Sequence, residues 1–141
     1  MIRRFEDWPA RLGDALAAAG DRPFEYGKHD CCLAVCDVVL AFTGADLAAD
    51  FRGYKGAAAA RRILKRHGGV VGIATAIAKR HRIPEVHPGL AQRGDVVIVD
   101  KDGDKALGIV DPTGSRVVAA ARAGGWVTRP VAGIKRAWRI G

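Results

Sequence analysis

The sequence predicts an α+β domain, with helices first and an antiparallel sheet second. Three observations lead there. Apolar residues recur at helical spacing as far as Arg82. After Ile83-Pro84 the pattern changes to short β-branched runs separated by Gly, Asp and Pro. The chain has 141 residues, enough for one hydrophobic core, and no linker or repeat divides it. Helices in one half and strands in the other are the α+β arrangement, here with about four helices packed on a C-terminal antiparallel meander. Residues 1–141 are expected to form one domain.

The first helix is expected from about Glu6 to Ala19, with Trp8, Leu12, Ala15, Leu16 and Ala19 as its apolar stripe. Pro9 fits in a first turn, where a missing N–H costs no hydrogen bond. Gly20-Asp21-Arg22-Pro23 ends this helix, and Phe24 to Lys28 is loop. The second helix, Cys31 to about Phe42, is apolar on most sides, which marks it as central and buried. Thr43-Gly44 terminates it. Residues 44–56 read as irregular, with one turn at Asp46–Ala49. A third helix, about Ala57–His67, carries Ala60, Ile63, Leu64 and His67 on one face and Arg61, Arg62, Lys65 and Arg66 on the other. Gly68-Gly69 stops it. A fourth, about Gly72–Arg82, places Ile73, Ala74, Ile77, Ala78 and His81 inward and Lys79, Arg80 and Arg82 outward.

The strands follow. Asp95–Asp100 is strongly β-branched, and residues 101–105 form a polar turn before Ala106–Val110. Asp111–Ser115 is a second turn, Arg116–Ala121 a third strand, and Trp126–Arg129 and Ile134–Ile140 complete the sheet.

About half the residues are apolar (49%) and 27% charged, the profile of an ordinary globular protein. The formal charge is +8 and the pI about 9.9, so polyanions are attracted without any consequence for fold. Seven cations on the third and fourth helices read as two solvated faces, with docking of an acidic partner as the alternative. Aromatic residues are not interleaved with them, so sequence-specific nucleic-acid binding is not expected. Residues 1–8 lack the apolar core of a signal peptide, and no run is long enough to span a membrane; folding in the cytoplasm of the producing cell is the expectation.

The chemistry concentrates in one stretch, Phe24 to Val39. An aromatic-glycine loop runs into Asp30, a good helix N-cap because its carboxylate can accept from free N–H groups of the first turn. Cys31 falls in that turn, where those groups and the helix dipole favour a thiolate. The three cysteines, Cys31, Cys32 and Cys36, share one helix and read as reduced thiols rather than a disulfide framework. Cys32 and Cys36 read as small buried apolar residues. The alternative is a metal or iron–sulfur site completed by other ligands, although no second cysteine cluster exists. No cofactor is expected.

Several pieces together carry a resemblance: Pro23-Phe24 with Tyr26-Gly27, His29-Asp30-Cys31, Thr43-Gly44-Ala45-Asp46, Arg52-Gly53-Tyr54, Gly68-Gly69, Arg93-Gly94-Asp95-Val96-Val97, Leu107-Gly108-Ile109-Val110 and Ala137-Trp138-Arg139. The pattern resembles the NlpC-type superfamily of papain-like cysteine peptidases, which cut bacterial cell-wall peptides. More narrowly, it is similar to phage and prophage tail proteins built on a degenerate version of that fold. The likeness runs from about Trp8 to Ile140.

The resemblance implies a helix-start Cys as nucleophile, a His on the second meander strand as base, and a polar residue on the next strand to orient it. Cys31 matches the nucleophile. The base position matches Ala106, and the orienting position falls among Val118–Ala121, where only alanine and valine stand. His29 is the histidine nearest Cys31 in sequence, but on the loop side. His67 and His81 close apolar helix faces, and His87 lies in a Pro-flanked loop. Tyr26, Gly27 and Trp126 are the expected groove residues. The implied function is a siphophage-type tail-tip or tail-assembly component in the virion tail, docking to other tail-tip proteins. The alternative is an active tail peptidase or amidase that uses Cys31 on bacterial cell-wall peptides.

Overall fold

A computed structural model describes residues 2–141. Among them the helices are α1 (Trp8–Ala19), α2 (Cys31–Thr43), α3 (Gly56–His67) and α4 (Gly69–His81). The strands are β1 (Glu85–Val86), β2 (Val96–Lys101), β3 (Asp104–Val110), β4 (Arg116–Ala120), β5 (Trp126–Pro130) and β6 (Arg136–Trp138). They form one six-stranded sheet in the order β1-β6-β2-β3-β4-β5, every neighbour antiparallel. The α+β class is the one the periodicities predict.

Local chemistry explains most boundaries. α1 starts at Trp8, two residues later than expected, because Pro9 occupies its first turn and Asp7 binds Arg11 at 2.7 Å instead of capping. α2 ends on Gly44, whose φ of +78° suits a residue without Cβ and whose N–H reaches the Leu40 carbonyl at 2.9 Å. α4 begins at Gly69 rather than Gly72. Gly68, at φ +79°, closes α3 and opens α4 at once, so the two helices join without a loop. The expected five-residue polar turn at 101–105 is tighter. Asp102 and Gly103 alone turn the chain, at φ +52° and +86°, and the β2–β3 ladder continues to Lys101 opposite Asp104.

The last expected strand, 134–140, shortens to Arg136–Trp138. It inserts between β2 and β1, a two-residue strand that the periodicity did not mark. Arg136 holds Glu85 on that edge with paired contacts of 2.7 and 2.8 Å.

The continuous apolar run of β2 is buried on both sides. Val96 and Ile98 face the helical layer, where α2 supplies Leu33, Val35, Cys36, Val39 and Phe42. Val97 and Val99 face a smaller cluster with Val110, Val117, Ile134 and Ala137, against which Val86 and Ala91 pack. A strand covered on both faces needs apolar residues at every position. α2 lies between α1 and the sheet, its buried side chains serving both.

One buried charge ties the chain ends together. Asp95, 0% exposed, accepts from Arg4 at 3.2 Å, Arg139 Nε at 3.0 Å, Gln92 N–H at 2.9 Å and Ile140 N–H at 3.1 Å. Arg4 also donates to the Ile140 carbonyl at 2.6 Å and lies 4.2 Å from the Trp8 ring centre. Gly94, at φ +82°, is needed here: a Cβ would come within 3.0 Å of the Arg4 guanidinium and 3.1 Å of Phe42. The Arg93-Gly94-Asp95 and Ala137-Trp138-Arg139 pieces are thus two halves of one clamp.

Candidate functional site

The site is built on the start of α2. Asp30 has extended backbone, and its Oδ1 accepts the Leu33 N–H at 2.9 Å, closing one of the free donors of the first turn. Its Oδ2 accepts the Gly27 N–H at 3.0 Å and the Tyr54 hydroxyl. One buried carboxylate therefore holds the helix start, the aromatic loop and the segment after α2. Tyr54 is placed by the residue two before it. Arg52 bridges Asp46, at 2.9 Å, and Asp37 of α2, at 2.7 Å. Burial, and then donation to Asp30, raises the Tyr54 hydroxyl well above its ordinary range, so it stays a donor at neutral pH.

Gly27 belongs to this arrangement and does not line the groove in front of Cys31. Its φ is +85°, and a Cβ there would stand 2.2 Å from the Tyr54 carbonyl oxygen. The loop can pass under residue 54 only with glycine.

Cys31 is half-buried, with Sγ 3.9 Å from the Leu107 carbonyl oxygen of β3. The expectation of a thiolate at the helix start is corrected here. Burial pushes the Cys31 thiol up to about 11, with Cys32 and Asp30 adding to the rise and Lys101 offsetting part of it. Desolvation disfavours the charged thiolate, and the cap itself places a carboxylate beside the sulfur. Cys32 is also raised, by its contact with Cys36 and by burial. Among the described residues, no group of three or more His, Cys, Asp or Glu is placed to hold a metal ion.

Two spaces meet at Cys31. Behind it is an apolar cavity of about 70 Å³ closed by Phe51, Tyr54, Ile63 and Ile73. In front is an open groove of about 610 Å³. Phe24 and Tyr26 form one wall, the α3–α4 junction at Gly68–Val71 another, and Lys101, Asp104, Lys105 and Ala106 of the β2–β3 hairpin the third. Cys31 and Ala106 line this same groove. Ala106 is 2% exposed, lies beside Val99 on the face of the sheet away from α2, and has no group that takes or gives a proton. β4 offers Val117, Val118, Ala119 and Ala120, all buried, so no polar side chain stands behind that position.

The histidines lie elsewhere. His29 is 3% exposed, its ring 6.2 Å from that of Trp126, and neither ring nitrogen has a hydrogen-bond partner. It does not line the groove, so the geometry brings no base to Cys31 from that residue. His67 packs edge-on to Phe51 at 5.1 Å, His81 stands in the last turn of α4, and His87 accepts the Gly89 N–H at 3.0 Å. Trp126 also departs from its expected place. Its Nε1 donates to the Leu16 carbonyl at 2.9 Å, joining β5 to α1 away from the groove. Tyr26 is the expected groove residue that lines it. Lys101 was not anticipated; its ammonium donates to the Ala120 carbonyl at 2.7 Å at the groove edge. The polar turn that flanks it was the only sequence signal, and it reads as ordinary hairpin chemistry.

The buried His29 has a consequence for pH dependence. Burial lowers its pKa from 6.5, Arg22 adds to that, and Asp37 and Asp30 oppose it. The unfolded chain therefore takes up a proton as pH falls through the ordinary value, while the folded ring resists. The stability contribution is complete above that value and is lost below it, with a limiting slope of about 1.4 kcal/mol per pH unit. Urea unfolding between about pH 7 and pH 5 is expected to show wild type weakening more steeply than His29→Phe, which keeps a ring against Trp126. Parallel profiles would show that His29 protonates freely in the fold.

No helix among the described residues is long and apolar enough to cross a membrane. No curated protein matches the chain. The family model described as a domain of unknown function (DUF6950) matches residues 3–140, which spans both the Asp30–Cys31 helix start and the Asp95 clamp. With that match over nearly its whole length, the chain belongs to the DUF6950 family.

Proposed function

We propose that the chain is a structural or assembly component of a phage or prophage tail tip, on a papain-like NlpC-type fold whose peptidase site has lost its base. The observation that carries this reading is that Cys31 and Ala106 line one groove, which no histidine lines. A cysteine at the start of a central helix, facing a strand of an antiparallel sheet, is the frame of such a site. Acyl transfer also needs a group to take the thiol proton and return it to the leaving amine. Ala106 cannot do this, no histidine lines the groove, and burial keeps the thiol protonated at neutral pH. What remains is a concave surface with aromatic, glycine and charged walls, suited to holding a segment of a neighbouring tail protein.

The test is complementation of a phage or prophage lacking this chain. Wild type and Cys31→Ala are both expected to restore intact tails, with the chain detectable in purified particles by mass spectrometry. In parallel, Cys31 of the purified protein should alkylate at neutral pH about a hundredfold more slowly than a thiol of ordinary pKa, following its raised value. Absence of the chain from particles and from assembly intermediates would overturn the tail assignment. Cleavage of muropeptides by wild type but not by Cys31→Ala would overturn the structural reading in favour of a peptidase.

A further inference from the structure

A second concave surface lies away from the Cys31 groove, where the N-terminal segment crosses the ends of α2 and α4. It is an open basin of about 570 Å³ lined by Arg3, Arg4, Arg80, His81 and Arg82, with Ile2 and Phe5 as its apolar wall. No Asp or Glu lines it. Residues 56–82, which supply α3 and α4, contain no acidic residue at all.

Three carboxylates of the surrounding segments are engaged in ion pairs. Asp95 is held by Arg4 and Arg139, Asp46 by Arg52, and Asp50 by Arg80 at 3.3 Å. Arg3 and Arg82 are exposed and have no ion pair among the described residues. Cations in the last turn of a helix complement its dipole, which accounts for Lys79 and Arg80. It does not account for Arg3, which stands outside any helix, or for Arg82. α2 and α3 end on glycines at φ +78° and +79°, whereas α4 ends on Arg82 at φ +55°. Glycine is favoured at that position, so an arginine there carries backbone strain to set a guanidinium at the basin rim.

We infer that this basin binds an acidic segment of a partner protein, with Asp or Glu side chains on Arg3, Arg82 and Arg80 and an apolar side chain against Phe5. Phe5 is 39% exposed and stacks on the Arg11 guanidinium at 4.5 Å, which fixes its ring at the edge of the basin. A compact pocket with an apolar wall suits a short peptide. A nucleic-acid strand calls for a longer basic track with aromatic residues along it.

Fluorescence anisotropy with a labelled peptide of alternating glutamate and leucine tests this at low ionic strength. Saturable binding that weakens with added salt is expected. The double variant Arg3→Glu/Arg82→Glu should bind at least about tenfold more weakly, while Arg61→Glu/Arg62→Glu, with the same change in net charge, stays within about twofold. Arg3→Ala/Arg82→Gly guards against misfolding. Glycine relieves the strain at residue 82, so the melting temperature should hold or rise while peptide affinity falls. Absence of binding, or equal losses in the two charge-reversed variants, would overturn the site. So would a single-stranded oligonucleotide bound more tightly than the peptide and lost with the same substitutions.

Discussion

Asp95→Ala is expected to lower the unfolding free energy by about 3–5 kcal/mol, the cost of removing one partner from a buried ion pair. Asp95 is wholly buried and accepts from two guanidinium groups and two backbone N–H groups. Without it, Arg4 and Arg139 face each other with no counter-charge, and burial already lowers the Arg4 pKa in the intact protein. The effect reaches both termini, because Arg4 and Ile140 meet on the same carboxylate. A domain with about 5–15 kcal/mol of total stability would lose a large share of it. Asp95→Asn keeps an acceptor for the backbone groups but brings an amide toward a guanidinium, so it should fall between the two. Urea unfolding followed by circular dichroism measures the series. A loss under about 1 kcal/mol for the alanine variant would mean that the clamp is not a stability element.

Ala106→His should change the chemistry of Cys31 more than any other single substitution in the groove. Residue 106 borders the groove that holds the sulfur, and an imidazole there would accept the thiol proton if its ring turns in from the Val99 face. A neighbouring imidazolium stabilises a thiolate strongly, as in papain-type pairs. The Cys31 thiol, now held near 11, should titrate lower, and iodoacetamide should alkylate it at least about tenfold faster at neutral pH. The rise should vanish in Cys31→Ser/Ala106→His. Turnover of peptides is not part of the expectation, because the buried β4 residues Val117–Ala120 are valine and alanine and cannot orient the new ring. An unchanged alkylation rate would show that residue 106 does not address the sulfur, and the reading of a site that has lost its base would fall with it.

Much of the fold was legible because it rests on neighbours a turn or two apart. The apolar run of residues 31–42 predicts a central helix, and α2 is that helix. The change of period after Ile83-Pro84 separates helices from strands, since side chains meet every 3.6 residues in one and every 2 in the other. The cap at Asp30 is legible for the same reason: its acceptor reaches Leu33, three residues on.

The protonation state of Cys31 is not legible from the same segment. A helix start raises the expectation of a thiolate, but burial by Tyr54, Leu107 and the α3–α4 helices sets the outcome, and none of these is near Cys31 in sequence. Desolvation disfavours a buried charge, and spacing along the chain carries no record of it. Trp126 and His29 are placed by distant contacts in the same way, and neither lines the groove at Cys31. Their aromatic contact joins β5 to the loop before α2, across nearly a hundred residues, so proximity to Cys31 in sequence meant nothing for His29.

The four helices, the strands from β2 onward and the Asp30 cap were written in local order, where propensity and period operate. The insertion of β6 between β1 and β2, the Asp95 clamp, the basin under Arg82 and the protonated thiol came only with packing. Each depends on which distant groups exclude water from which charge, and that is settled when the chain closes on itself.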